Sequence, residues 1–121
     1  DDARLFTAVA GESIASMAAF SPHDLSSLAW AFAQLSHRVP RLFRAIAGES
    51  AARLDRFEPQ GLSNMAWAFA AASVHEQSLL EAISDAVASA MRGPEPQVSA
   101  RDVLSVVWAA ASLGTLSTDL A

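Results

Sequence analysis

A chain of 121 residues, 52% hydrophobic and 17% charged, is long enough for one domain with a modest core and too apolar for a disordered tail. It has no cysteine, which excludes disulfides, thiolate metal sites and a cysteine nucleophile. Its net charge of −5 counts against a free-standing nucleic-acid binder, which is usually basic.

Good helix formers dominate, Val, Ile and Thr are sparse, and Gly and Pro fall mostly between apolar stretches, so the chain reads as all-α. In chain order the pattern predicts helices over 2–18, 22–36, 40–56, 59–73, 76–92 and 99–113. The first follows Asp1-Asp2 at once. The second has Ser21 as N-cap, Pro22 at the first helical position and Asp24 in the first turn, where the helix dipole favours an anion. His37 to Pro40 form a turn into the third. Phe57-Glu58-Pro59 opens the fourth. A cap-like Ser117-Thr118-Asp119 suggests a seventh, and the chain reads as a fragment of a longer array. The longest nearly uncharged run, 61–74, is too short to span a bilayer, so no membrane insertion is expected.

The helices form a repeat. Residues 5–35 match residues 42–72 at 17 of 31 positions when offset by 37, with Phe20/Phe57, Pro22/Pro59, Leu25/Leu62, Trp30/Trp67 and Gly-Glu-Ser at 11–13 and 48–50 among the identities. A third copy, displaced by four residues inserted at 94–97, resumes at Val98, Val103 and Trp108. A period of 37 lies in the range of helical-hairpin arrays. We therefore expect a right-handed α-solenoid of about three stacked hairpins: the second helix of a preceding repeat at 1–19, repeats at 20–56 and 57–97, and a partial repeat at 98–121. The four-turn first helix of each hairpin cannot be stable alone and must bury its faces on its neighbours.

LAWAFAQL at 28–35, MAWAFAAA at 65–72 and VVWAAASL at 106–113 read as a packing unit of alternating small and large residues. Phe20, Leu25, Trp30, Phe32, Phe57, Leu62, Trp67, Phe69 and Trp108 are the expected repeat core. Gly11 and Gly48 lie within the second helices, where they would permit close packing. A polar stripe remains on the first helices: His23, Ser27 and Gln34, then Gln60 and Asn64, then Arg101 and Ser105, each with a tryptophan at its edge. The framework repeats while the stripe varies. Such a pattern suits modular recognition of a polymer, since helical-repeat RNA binders read about one base per repeat with two or three side chains. It also suits a solvent-facing surface that nothing constrains.

The phrases FSPHDLSSLAWAFAQL and FEPQGLSNMAWAFAAA resemble the degenerate Trp-centred repeats of octotricopeptide-repeat-like organellar proteins, and those associated with RAP-domain and FAST-kinase-like proteins. The resemblance implies an α-solenoid that binds single-stranded or ribosomal RNA in a mitochondrion or chloroplast, serving transcript maturation, translation or ribosome assembly. It implies no catalysis and no cofactor in the repeats, and it places RNA contacts at His23, Ser27, Gln60, Asn64, Arg101 and Ser105. The chain lacks the Pro-Pro-Pro-Glu-Trp signature of the fullest octotricopeptide pattern. A protein-binding scaffold in an organellar complex is the alternative, favoured by the acidic charge and by Arg4, Arg41 and Arg44 on the outer side of the second helices. No catalytic residue and no metal site is expected: His23, His37 and His75 share no ligand spacing, and Gly-Glu-Ser is not a nucleophile elbow.

Overall fold

A computed structural model describes residues 2–35, 39–94 and 98–114. His37, Arg38, most of the insert at 94–97 and the expected helix start at 117–119 lie outside them. The described residues form six α-helices and no strand: α1 Asp2–Ala15, α2 Pro22–Ala33, α3 Pro40–Ala52, α4 Pro59–Ala71, α5 Gln77–Met91 and α6 Ala100–Ser112.

The expected second helices end early. α1 stops at Ala15 and α3 at Ala52, each followed by a single 3-10 turn, Met17–Ala19 and Leu54–Arg56. The cause lies downstream. Phe20 and Phe57 leave these turns with extended backbone, ψ 140° and 141°. Ser21 and Glu58 are also extended, because each precedes a proline at the first position of the next helix and a residue before proline avoids the helical region. The tighter 3-10 turn brings the chain round in three residues. The later helices also fall short of their expected ends. α4 closes at Ala71, with Ser73 left-handed at φ 57°; Ser73 N–H donates to the Ala70 carbonyl and Val74 N–H to the Phe69 carbonyl.

Caps are used unevenly. Ser21 and Asp24 exchange side chain–backbone hydrogen bonds at 3.0 Å, and Ser99 and Asp102 do the same at 3.1 and 3.4 Å. The Ser21 N–H, and next the Ser21 hydroxyl region, hold the Asp24 carboxyl below the usual carboxylate range. Glu58, at the matching place of α4, makes no side-chain cap.

Like helices pack on like. α2 lies on α4 and α4 on α6, while α1 lies on α3 and α3 on α5; α2–α3 and α4–α5 are the hairpins. Leu25, Leu42, Phe43, Ile46, Met65, Phe69 and Ile83 are wholly buried between these two rows. Phe43 and Phe69 meet edge to face at 5.1 Å, and Phe6 meets Phe32 similarly at 6.4 Å. Phe32, Phe57 and Leu62 are buried and Phe20 is partly buried. At the third level Ala110 stands where Phe32 and Phe69 stand, and it too is buried.

The close approach between α2 and α4 falls at a different glycine from those expected. A methyl group added at Gly11 or Gly48 would meet nothing within 4 Å, so neither is where helices press together. At Gly61 it would sit 3.5 Å from both the Ser26 hydroxyl and the Phe57 ring. There the Ser26 hydroxyl donates to the Gly61 carbonyl at 3.0 Å. Thirty-seven residues on, the Ser63 hydroxyl is shared between its own helix, at the Pro59 carbonyl, and the Asp102 carbonyl of α6 at 3.2 Å. A buried serine at one register thus ties each first helix to the next. The side chain is small enough for backbones to approach and polar enough to satisfy a carbonyl there.

Ser50 is the counter-example. Its hydroxyl is buried in α3 with no hydrogen-bond partner. A buried polar group without a partner costs free energy. Ser50→Ala is therefore expected to leave stability unchanged or raise it by up to about 1 kcal/mol, read as the urea midpoint. A fall of more than about 1 kcal/mol would show that the hydroxyl is satisfied after all.

Candidate functional site

On each first helix the stripe positions are four and three residues apart, which places them on one face in adjacent turns. The structure brings them together. His23, Ser27 and Trp30 of α2 face Gln60 and Asn64 of α4 across a groove of about 600 Å³. A second groove of about 1160 Å³ sets Trp30 and Gln34 of α2 and Asn64 and Trp67 of α4 against Arg101 and Ser105 of α6. Every one of these polar residues is exposed except Ser105, which is half-buried. The His23 ring lies 3.5 Å from the Ser27 hydroxyl.

The tryptophans stand apart from the core to which the sequence pattern assigned them. Trp30 is 49% and Trp108 47% exposed, and only Trp67 between them is partly covered. The three indoles form a row. Trp30 stacks on Trp67 with ring centroids 6.3 Å apart and planes 28° off parallel; Trp67 stacks on Trp108 at 6.3 Å and 26°. Between the first helices stand the small residues Ser26 and Ser63, each bonded to the next helix, and the indoles lie instead on the shared face, each against its neighbour's ring.

The face therefore carries two parallel rows. One is polar and varied: His23 with Ser27, Gln60 with Asn64, Arg101 with Ser105. The other is Trp30, Trp67, Trp108. Two residues that the repeat pattern does not flag also line it. Arg56 borders the first groove, and Glu58 borders both. They belong to the 3-10 turn and the bend before α4, and the 37-residue offset matches them to Ala19 and Ser21, so no recurring phrase marks them. With Arg101 and Asp102, the grooves hold two guanidiniums and two carboxylates, a nearly neutral balance.

Among the described residues, no three His, Asp or Glu side chains gather where a metal ion could be held. No described helix is long and apolar enough to cross a membrane.

Six helices and no strand among the described residues, with a polar and aromatic strip along the α2–α4–α6 row, define an all-helical protein. The chain belongs to the RNA-editing substrate-binding complex 6 protein family, whose model matches residues 1–118, nearly the whole chain. No protein of curated function and no solved structure matches it.

Proposed function

We propose that the chain is a non-catalytic α-solenoid module, right-handed and of octotricopeptide-like period, that holds single-stranded RNA along the α2–α4–α6 face within an RNA-editing substrate-binding assembly. The observation that supports this most is the pairing of rows: α2, α4 and α6 each place two hydrogen-bonding side chains one and two turns before an indole, and the outer indoles Trp30 and Trp108 are exposed. Single-stranded RNA is recognised in the same two ways, by ring stacking and by hydrogen bonds to base edges. The family's link to RNA editing favours the mitochondrion over the chloroplast.

The charge balance fixes the character of the binding. With Arg56 and Arg101 as the guanidiniums in the grooves, at most two phosphates are neutralised. The salt dependence of log K is then shallow, a slope of about −1.4 for a single strand. Stacking carries the rest, at about 1–3 kcal/mol per base.

Fluorescence anisotropy of labelled single-stranded RNA at low salt tests this. Saturable binding is expected, weakened about 5- to 150-fold by Trp108→Ala. Asn64→Ala weakens it less, and Arg101→Ala flattens the salt slope by about 0.7. Absence of saturable binding, or variants that all bind like the parent, would rule the reading out. A protein-binding scaffold is the second reading. The net charge of −5 and the paired acids of the grooves favour it, and it predicts no RNA binding at any salt concentration.

A further inference from the structure

Glu58 breaks a pattern that the other two first helices keep. At its place in the repeat stand Ser21 of α2 and Ser99 of α6, and each serves its own helix as the N-cap of a capping box. Glu58 makes no side-chain cap, and Gly61 stands three residues on, where α2 and α6 carry Asp24 and Asp102. Its side chain is exposed and holds no ion pair or hydrogen bond among the described residues. It lines both grooves. A carboxylate with no structural duty therefore sits in the middle of the face assigned to RNA.

Its opposite lines the second groove with it. Arg101 of α6 is exposed and also unpaired among the described residues, so the two charges share a groove without closing into a salt bridge. One side chain only accepts hydrogen bonds and the other only donates them. Trp30 and Trp67 add an aromatic wall. A phosphate suits this groove badly, because it gains Arg101 but is repelled by Glu58 and by Asp102. An uncharged edge with donors at one end and acceptors at the other satisfies both charges.

We infer that Glu58 and Arg101 select guanine at the α4–α6 groove, an inference that rests on the RNA reading of this face. Guanine carries its N1–H and its N2 amine side by side, and a carboxylate accepts from both at once. Its O6 and N7 are adjacent acceptors, which a guanidinium takes as a fork. No other base offers both pairs. Adenine and cytosine set a ring-nitrogen acceptor beside their amine, and uracil sets a carbonyl on either side of its N–H, so each turns a lone pair toward Glu58. The acid repels every strand, and only guanine offsets that repulsion, which is discrimination by exclusion of the wrong partner. On a strand without guanine Arg101 is left to a phosphate. Guanine draws it to the base, and the salt slope becomes shallower by about 0.7.

Anisotropy of the whole chain with short labelled uridine strands, each carrying one central purine nucleoside, tests the inference. The guanosine strand is expected to bind about 5- to 150-fold tighter than the adenosine strand. Inosine lacks the amine that faces Glu58, and deazaguanosine has carbon in place of the N7 that faces Arg101; each loses part of the advantage. Glu58 is exposed and makes no cap, so Glu58→Ala folds, as helical circular dichroism checks. In that variant the guanosine and inosine strands bind alike, while every strand binds tighter because a repelling charge is gone. Arg101→Ala makes guanosine and deazaguanosine equal and keeps the loss on inosine. A parent chain that binds all strands saturably and equally overturns the inference and leaves the RNA reading standing. A guanosine preference over inosine that survives Glu58→Ala overturns it too, since the acid then acts by charge alone. Absence of binding to every strand removes both.

Discussion

Phe69→Ala is expected to lower the unfolding free energy by about 3–5 kcal/mol. Phe69 is wholly buried on α4, the helix that touches α2, α5 and α6, and its ring meets Phe43 edge to face at 5.1 Å. Truncation removes the transfer free energy of the ring, opens a cavity between the two helix rows and loses a favourable aromatic pair. A domain of this size has little stability to lose, so the variant is partly unfolded at room temperature. Helical circular dichroism during urea unfolding measures it. Phe32→Ala serves as the comparison: Phe32 holds the same register on α2, but it is slightly less buried and its aromatic neighbour Phe6 lies farther off, at 6.4 Å, so its loss is smaller. A Phe69→Ala midpoint within about 1 kcal/mol of the parent would mean that the hairpins do not share one core.

Arg53→Ala is expected to cost about 2–3 kcal/mol. Arg53 is the C-terminal cap residue of α3, and its mostly buried guanidinium reaches back to the corner of the preceding repeat. One nitrogen donates to the Phe20 carbonyl and the other to the Met17 carbonyl at 3.4 Å, with Glu49 3.3 Å away. Charged donors make the stronger kind of hydrogen bond; without Arg53 the partly buried Phe20 carbonyl loses this donor and the Met17 carbonyl keeps the Phe20 N–H. The unpaired Nε offsets part of the gain and keeps the figure below that of Phe69. Two companions separate the causes. Arg53→Lys restores only part of the loss, since a point charge cannot span two carbonyls. Glu49→Gln stays within about 0.5 kcal/mol, because the acid is partly exposed and the pair is a surface ion pair. Amide exchange adds a local readout, with α1 losing protection ahead of α4. An Arg53→Ala chain as stable as the parent would reduce the bridge to decoration.

The helices and their order were legible in the sequence because the signals are local and doubled. Ser21-Pro22 and Glu58-Pro59 start helices by fixing backbone angles, and the same phrase recurs one period later. The polar stripe was legible too, since spacings of three and four put His23 with Ser27 and Gln60 with Asn64 on one face wherever the helix sits. Three features were not legible, each for a physical reason. A helical wheel puts Trp30 at the edge of the apolar face, and the wheel does not hold the spacing of the next helix, which decides whether an edge residue is covered. Gly48 shares its place in the repeat with Gly11, yet recurrence does not reveal what lies opposite; the glycine in close contact is Gly61, which does not recur. Arg53 aligns with Ser16, so the bridge leaves no trace in the self-comparison. The family match meets the expectation of an RNA-linked helical protein at that level, and the octotricopeptide kinship belongs to the proposal rather than to the match.

Three indoles stacked with centroids 6.3 Å apart have an optical consequence. Rings this close interact through their transition dipoles, so the near-ultraviolet circular dichroism is expected to differ from that of three isolated indoles, and to change on Trp67→Phe, which removes the middle member. The molecule thus carries its own gauge of register: a displacement of one hairpin against the next that changes the 6.3 Å spacing is expected to alter that signal without an attached label.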